Sequence, residues 1–429
     1  MSSVNIHVHE VTRVEGHGDI VVNAKNGKLE ECRFEVTEAP RFFEAMARGR
    51  RWDEMSHLTS RICGICAIGH ANASLNATED AFGITPSKQT IMLRKLNFHA
   101  ETLQSHILHV YFLVAPDFFG AGSVIPLAAS HPAVVLRALR LKKMGNDMAD
   151  ALCGRKVHPI SMAVNGWTRI PTKKELLKIK QMLKDREEDI LETVKLIATL
   201  KVPNFQRQTE YVSLTSKDSE YPWIAGDIKA SDTGTFKVQD YKKVTNERIV
   251  KHSTAKHTGC SRTSYMVGAL ARVNNNYAKL NGTAKDVAAQ LGLKVPCHNP
   301  FMISIAQVVE TAHCYVDSFR VIDELLDMSL KDEEVVVKPK AGRGAGSCDV
   351  PRGILFHDYT YDDQGRIKDA NLIIPTGQNY SNIEDDMRAL VPQIIDKPKE
   401  EIRQTLEMLV RAYDPCISCS VHMLNVRFV

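Results

Sequence analysis

The feature that most limits how this chain can fold is a repeated cysteine spacing at its two ends. "RICGICAIGH" carries Cys63 and Cys66, and "DPCISCSVH" carries Cys416 and Cys419. Cys66 and Cys416 stand 350 positions apart, so a site shared by all four thiols requires a fold that brings both ends of the chain together. Two CxxC pairs supply a tetrathiolate set of the kind that holds structural zinc. Four thiolates also hold iron–sulfur clusters. Zinc ribbons and fingers tie short segments together, whereas 429 residues, 44% of them hydrophobic, build a core without a metal staple. Neither reading explains the flanks. Arg61 and Asp414 stand just before the pairs, and His70 and His422 follow them.

Composition narrows the setting of this chemistry. A formal charge of +4, with Lys and Arg interleaved among Asp and Glu, points away from nucleic acid as a partner. The opening "MSSVNIHVHEVTRVEG" lacks the apolar run of a signal peptide, and no later stretch reaches membrane-spanning length. The expectation is a cytoplasmic protein with no membrane span, where paired cysteines more often mean metal or redox chemistry than disulfides.

Periodicity predicts strands first and long helices afterwards. Residues 4 to 36 alternate around Asn26-Gly27, the pattern of a β-hairpin or small sheet. The Ala-, Gly- and Ser-rich run after Cys66 predicts a closely packed helix ended by Gly83. Residues 88 to 115 have the apolar density of a long buried helix. Residues 172 to 200 open with a capping box, Thr172 to Glu175, and predict a single helix of roughly 40 Å. Asn299-Pro300 starts a helix reaching about residue 328, and residues 398 to 413 form a last one that Pro415 ends. Residues 205 to 257 and 335 to 376 read as loops and small sheets. The expected fold class is α+β, mainly helical, with a buried long-helix core and the N-terminal hairpin at its edge.

Other conspicuous features read as structural. His99, His106 and His109 share a helix face with no carboxylate or cysteine beside them in sequence. "AGRGAGSC" lacks the Lys-Ser/Thr of a phosphate loop and predicts a flexible loop. Cys32, Cys153, Cys260, Cys297, Cys314 and Cys348 are scattered singly, as small buried hydrophobes are. With no further cysteine grouping, the chain carries no iron–sulfur relay of its own.

The motifs R-x-C-G-x-C and D-P-C-x-x-C-x-x-H resemble the two that mark the large, catalytic subunit of nickel-iron hydrogenases. "RVEGHG", "PRFFEAM", "LQSHILHVYFLVAPDF", "GRKVHP", "VGALARVN", "VPRG" and "IIPTGQN" look like further blocks of that family, in its order, across essentially the whole chain. The resemblance implies the large-subunit fold as one domain over residues 1–422, with residues 1–60 holding the N-terminal strands and 61–422 the helical core with inserted small sheets. It implies reversible cleavage of dihydrogen at a nickel–iron centre whose iron carries carbon monoxide and cyanide. Cys63 and Cys416 would be terminal nickel ligands, and Cys66 and Cys419 would bridge to iron. Soft thiolates suit such metals. Heterolysis needs a Lewis acid and a base, and Cys416 would be the base.

Further residues follow from the same resemblance. Arg352 in "VPRG" would stand beside the open coordination position, where it could polarise dihydrogen or act as a base, with the carboxylates of Asp414 and Asp117 near it. Glu15 would relay protons, and His70 would donate to bridging Cys66. Pro375 and Thr376 would hold a cyanide ligand. Glu44, the backbone carbonyl of Leu372 and His422 would bind magnesium, completed by water. A maturation endopeptidase would cut between His422 and Met423 and remove residues 423–429 after nickel-insertion proteins have acted. Taken singly, Glu15 reads as a turn residue, His70 as a core histidine, Asp414 as a pre-proline terminator and Asp117 as a turn residue.

Two places depart from the family pattern, with "DVPRG" where many members read E-A-P-R-G and "PTGQN" for a more aromatic stretch. The chain looks most like the cytoplasmic, methyl-viologen-reducing group that does not use deazaflavin. That likeness implies an iron–sulfur small subunit, further electron-transfer subunits and heterodisulfide reductase as partners. Relatives linked to NADP or deazaflavin share "DPCISCSVH". The readings outside catalysis are a non-enzymatic scaffold resembling a subunit of complex I and a zinc-stabilised interaction protein.

Overall fold

Alternation in the first 36 residues produces three antiparallel strands, β1 (Val4–Val8), β2 (Gly18–Lys25) and β3 (Lys28–Val36). Asn26 and Gly27 both take positive φ in the turn joining β2 to β3, as a tight hairpin requires. The computed structural model describes residues 4–333 and 336–421.

Two larger sheets lie deeper in the chain, beyond a short two-stranded pairing of Met162–Ala163 with Gly166–Trp167. Strands β4 (Glu210–Thr215), β5 (Asp227–Ala230), β6 (Gly234–Phe236) and β7 (Tyr265–Met266) form one in the order β6-β5-β4-β7, with β4 and β7 parallel. Strands β8 (Gly342–Val350), β9 (Gly353–Tyr361) and β10 (Ile367–Ile373) form an antiparallel meander.

Around them run α1 (Ala67–Phe82), α2 (Lys88–Leu108), α3 (Pro132–Cys153), α4 (Lys173–Lys184), α5 (Glu187–Ala198), α6 (Ile303–Asp327), α7 (Pro375–Ile394) and α8 (Lys399–Ala412). Gly83 ends α1 at φ 70, Thr172 and Glu175 form the capping box of α4, and Asn299 caps the turn leading into α6. Helices α3 and α7 are additions to the sequence reading.

Helix α2 is buried almost throughout and packs between α3 and α6. Its polar residues find partners across the interface. His106 Nε2 meets Glu310 Oε2 at 2.8 Å, and His99 Nδ1 meets Ser318 Oγ at 3.2 Å. Beyond Leu108 the helix widens into a π-helical stretch, His109–Val114, inside the single helix expected over 88 to 115.

Two expectations are corrected. The single helix over 172–200 breaks at Arg186, whose φ of −118° and ψ of 7° leave the helical region. Glu187, Glu188 and Asp189 follow it, and a run of acidic residues favours a fresh helix start through the N-terminal dipole. The inward stripe of Leu176, Ile179 and Leu183 resumes after the break as Ile190, Val194 and Ile197. The second correction concerns "AGRGAGSC", which is β8 and lies against α1. A Cβ at Gly344 would sit 2.2 Å from Ala77 O, and one at Gly346 would sit 2.3 Å from Ala77 N. On the helix side, a Cβ at Gly69 would meet Val350 Cγ1 at 2.1 Å. The glycines serve close backbone approach, not flexibility.

Candidate metal centre

Each cysteine pair is set by a helix boundary. Cys66 is the N-cap of α1, with Cys63 in extended backbone just before it. The N–H groups of Ile65 and Cys66 both donate to Cys63 Sγ at 3.3 Å, which orients that sulfur and favours its anionic form. At the other end α8 stops at Tyr413, and Asp414 takes φ 52, a left-handed conformation uncommon without glycine. That turn sends Pro415 and Cys416 inward.

The two loops converge. Cys63 Sγ lies 3.5 Å from Cys416 Sγ, the Cys416 and Cys419 sulfurs touch, and all four sulfurs fall within 4.8 Å of one another. The exposures of the four residues run from 1% to 4%, so water is excluded. Three residues clamp the loops. Arg41 donates from Nη1 to Ile62 O at 2.6 Å and to Ser418 O at 3.3 Å, and from Nη2 to Arg61 O at 3.2 Å. Glu15 pairs its backbone with Pro415 and Ile417, while its carboxylate accepts from Ser418 Oγ and from Ser418 N at 3.2 Å. Thr376, at the start of α7, accepts Cys416 N at 3.0 Å.

Arg352 sits in the turn between β8 and β9 and roofs this pocket. It donates to Asp414 O and Asp414 Oδ1, both at 2.7 Å. Its Nη1 is enclosed and, among the described residues, has no hydrogen-bond partner. A buried guanidinium N–H without an acceptor is costly, so the geometry fits a pocket meant to hold an acceptor there. The Cys66 thiol donating to Cys63, aided by the charge of Arg352 and the two backbone N–H groups, brings Cys63 down to about 7. The same contact, together with burial, pushes Cys66 up. Four soft, dry sulfurs under a fixed positive charge fit a transition-metal centre bearing small acceptor ligands.

Other expected residues divide. Glu44 is buried and accepts Leu372 N at 2.8 Å, so the carboxylate and the Leu372 backbone meet. Burial pushes the Glu44 carboxyl up, against the pull of that N–H and of Lys256. His422 and Met423 lie outside the described residues. Pro375 is the first residue of α7, next to Thr376. His70, fully buried one turn into α1, directs Nδ1 to His357 Nε2 at 3.2 Å. Asp117 accepts from Arg13 at 2.5 Å and from Arg411 at 3.3 Å.

Sequence reading missed three residues that build the centre. Arg41 clamps both loops. Glu101, fully buried on α2, accepts Ile68 N at 2.6 Å and Gly69 N at 3.0 Å, capping the helix that starts at Cys66. Arg272, fully buried, donates to Val350 O at 2.7 Å and Pro351 O at 3.0 Å and so holds the turn that carries Arg352. None belongs to a spaced motif. The only advance signal was that Arg41 and Arg272 fall inside family-like blocks.

A mainly helical fold that joins two distant CxxC loops under an arginine defines a buried thiolate-ligated metalloprotein. The model of the family described as nickel-dependent hydrogenase matches residues 41–131 and 187–422, and a HoxL-like model matches residues 5–39. The alpha subunit of sulfhydrogenase 1 from Pyrococcus furiosus is 31% identical over 98% of both chains. An F420-non-reducing hydrogenase subunit of Methanothermobacter thermautotrophicus is 28% identical over 98% of this chain and 95% of its own. The fold is also that of an NAD+-reducing [NiFe]-hydrogenase crystallised in the H2-reduced state, with TM-score 0.88 and 24% identity over 98% of this chain and 100% of that one. This chain belongs to the nickel-dependent hydrogenase family, as a large subunit, and is an oxidoreductase acting on hydrogen. Among the described residues, no helix is long and apolar enough to cross a membrane.

Proposed function

We propose that this large subunit cleaves dihydrogen reversibly into protons and electrons on a nickel–iron centre held by Cys63, Cys66, Cys416 and Cys419. Electrons then pass to an iron–sulfur small subunit, then to a heterodisulfide reductase-type acceptor. The observation that carries this reading is the convergence of the four sulfurs within 4.8 Å. Cys63 and Cys416 would hold nickel alone, and Cys66 and Cys419 would be shared with iron. When bound, the metal pair supplies the Lewis acidity that polarises dihydrogen and the orbitals that take up its electrons.

The remaining work falls to the chain. Cys416 takes the proton from dihydrogen. Glu15, whose backbone pairs beside Cys416 and whose carboxylate Ser418 orients, carries it outward. His17 and Glu38, hydrogen-bonded at 2.9 Å and near the surface, form the next step towards solvent. Arg352, fixed by Asp414, would offer its unpartnered Nη1 to iron-bound carbon monoxide and cyanide and to dihydrogen, and Pro375 and Thr376 would hold a cyanide ligand. His70 orients bridging Cys66 from within α1. Glu44, the Leu372 carbonyl and His422 would hold magnesium, and removal of residues 423–429 by a maturation endopeptidase would complete assembly. The chain works in the cytoplasm.

Electron exit through a partner follows from the lack of a second cysteine cluster among the described residues. Relatives named F420-non-reducing hydrogenases, at 26–28% identity, favour an acceptor other than deazaflavin. Two relatives named sulfhydrogenase, each 31% identical, favour a sulfur-linked acceptor as the second reading.

Co-expression with nickel-insertion proteins and the small subunit tests the proposal. Nickel, iron, infrared bands of iron-bound diatomic ligands, loss of the tail by mass, and H2-dependent dye reduction are expected together. One zinc per chain with no nickel and an intact tail would sink it. Supplying the purified complex with heterodisulfide or with sulfur separates the two acceptors.

A further inference from the structure

A second group of metal-ligating side chains lies apart from the thiolates, where residues 246–260 cross α7. One ring nitrogen each of His252 and His257 and one oxygen of Glu384 lie within 4.8 Å of one another. Glu384 Oε1 faces His252 Nε2 at 2.7 Å and accepts Phe34 N at 3.1 Å. His257 is 2% exposed, and its Nε2 has no hydrogen-bond partner among the described residues. A buried ring nitrogen left unpaired is costly, so a fold that keeps one on a histidine grouped with two other ligating side chains calls for a ligand.

The surroundings hold these groups in place. The His252 and His257 rings meet edge to face at 5.5 Å, and His257 stacks on Tyr380 at 5.8 Å. His257 pairs its backbone N–H and C=O with Arg248 at 2.9 and 2.7 Å. Thr254 Oγ1 bonds Val36 O at 3.2 Å and Glu38 O at 2.6 Å, tying the segment to the N-terminal sheet. Burial, with His252, Arg248 and Arg388 nearby, brings His257 down to about 3, so its ring stays neutral, the form that binds metal.

We propose that His252, His257 and Glu384 form a binding site for a divalent transition cation of the zinc type, separate from the thiolate centre. Two imidazoles and a carboxylate, with one water, complete a tetrahedral sphere for such an ion. Bonds of about 2.0–2.1 Å place donors about 3.4 Å apart, within reach of side-chain rotation from the present spacing. On binding, His252 gives up the Nε2–H that it directs at Glu384, the neutral ring keeps its one proton on Nδ1 by exchange with solvent, and the freed Nε2 lone pair turns to the cation. Glu384 Oε2 stays with Arg388 at 2.7 Å, and Asp385, 2.9 Å from the same guanidinium, offsets that charge. The bound ion pins residues 246–260 to α7, the helix that begins with Pro375 and Thr376. Tyr380 links the two places, its hydroxyl lying 2.6 Å from Ser420 Oγ beside Cys419.

The test uses the mature holoenzyme, stripped of loosely bound metal and titrated with Zn2+ alone against a competing chelator. Uptake of one zinc per chain beyond nickel and iron is expected, with nitrogen and oxygen but no sulfur around it by X-ray absorption. His257→Asn and His252→Gln should each weaken zinc binding at least about tenfold. Both should abolish the zinc-induced rise in Tm while leaving nickel, iron and dye reduction unchanged. His9→Gln controls for the exposed His7, His9 and Asp19 group and should change nothing. Sulfur in the zinc shell, no zinc uptake, equal uptake by the His252 and His257 variants, or loss of uptake only in His9→Gln would each overturn the proposal.

Discussion

Gly346→Ala tests the packing that carries Arg352 to the sulfurs. The new Cβ would lie 2.3 Å from Ala77 N, 2.4 Å from Ala73 O and 2.8 Å from Asn76 C, where ordinary contact begins near 3.4 Å. All three atoms are backbone of α1, so no side chain swings aside, and strand and helix must part by about 1 Å. A gap of that size forfeits about a quarter to a half of the local dispersion attraction, and overpacking costs about 1–3 kcal/mol. With every clash against backbone, the upper end applies, about 3 kcal/mol. At about 2.1 cal/mol/K of unfolding entropy per residue, this lowers Tm by about 3 °C. The site feels the change as well, because Cys66 begins α1 and Arg352 follows β8. Calorimetry and metal analysis of the purified complex read both effects, with reduced nickel per chain expected beside the lower Tm. Gly282→Ala is the matched control. Its Cβ meets nothing within 4 Å at the first residue of the helix Gly282–Gln290, and a gain of about 0.4–1 kcal/mol is expected. A Gly346→Ala enzyme with wild-type Tm and full nickel would refute the claim that β8 is pressed onto α1.

Two further outcomes follow from individual side chains. Glu15→Gln keeps the shape and the Ser418 contact but cannot carry a proton, so H2-driven dye reduction should fall by about 10²-fold or more at unchanged nickel and iron, and undiminished turnover would remove Glu15 from the proton route. Burial brings His99 down to about 3 in the folded chain, so between there and 6.5 the unfolded state binds the proton and the folded state does not. Stability is therefore complete above pH 6.5 and falls as pH drops. At pH 4.5 His99 alone accounts for about 2–3 kcal/mol. Urea unfolding at pH 7 and 4.5 should show a smaller acid loss in His99→Gln by about that amount, and an equal loss would contradict the burial argument.

Local chemistry was legible wherever one residue decides a backbone angle or an orphan N–H. Asn26-Gly27, Gly83, the Thr172–Glu175 box and Asn299-Pro300 each mark the boundary they announce. The four cysteines were legible because metal chemistry restricts residue type and spacing. What stayed hidden depends on neighbours far away in the chain. Glycines of "AGRGAGSC" read locally as freedom, yet Gly344 and Gly346 are small because α1 lies against them. A continuous apolar stripe over 172–200 concealed the break at Arg186, since the stripe tracks the core and not the helix axis. Arg41, Glu101 and Arg272 act on backbone carbonyls and N–H groups of distant loops, and no spacing encodes such contacts.

X-ray absorption at the nickel and iron edges of the matured complex reads what the four sulfurs hold. Nickel surrounded by sulfur from Cys63, Cys66, Cys416 and Cys419 is expected, with iron at bonding distance sharing two of those sulfurs. Nickel bound by nitrogen and oxygen donors, or a lone zinc on the four thiolates, would contradict the nickel–iron reading.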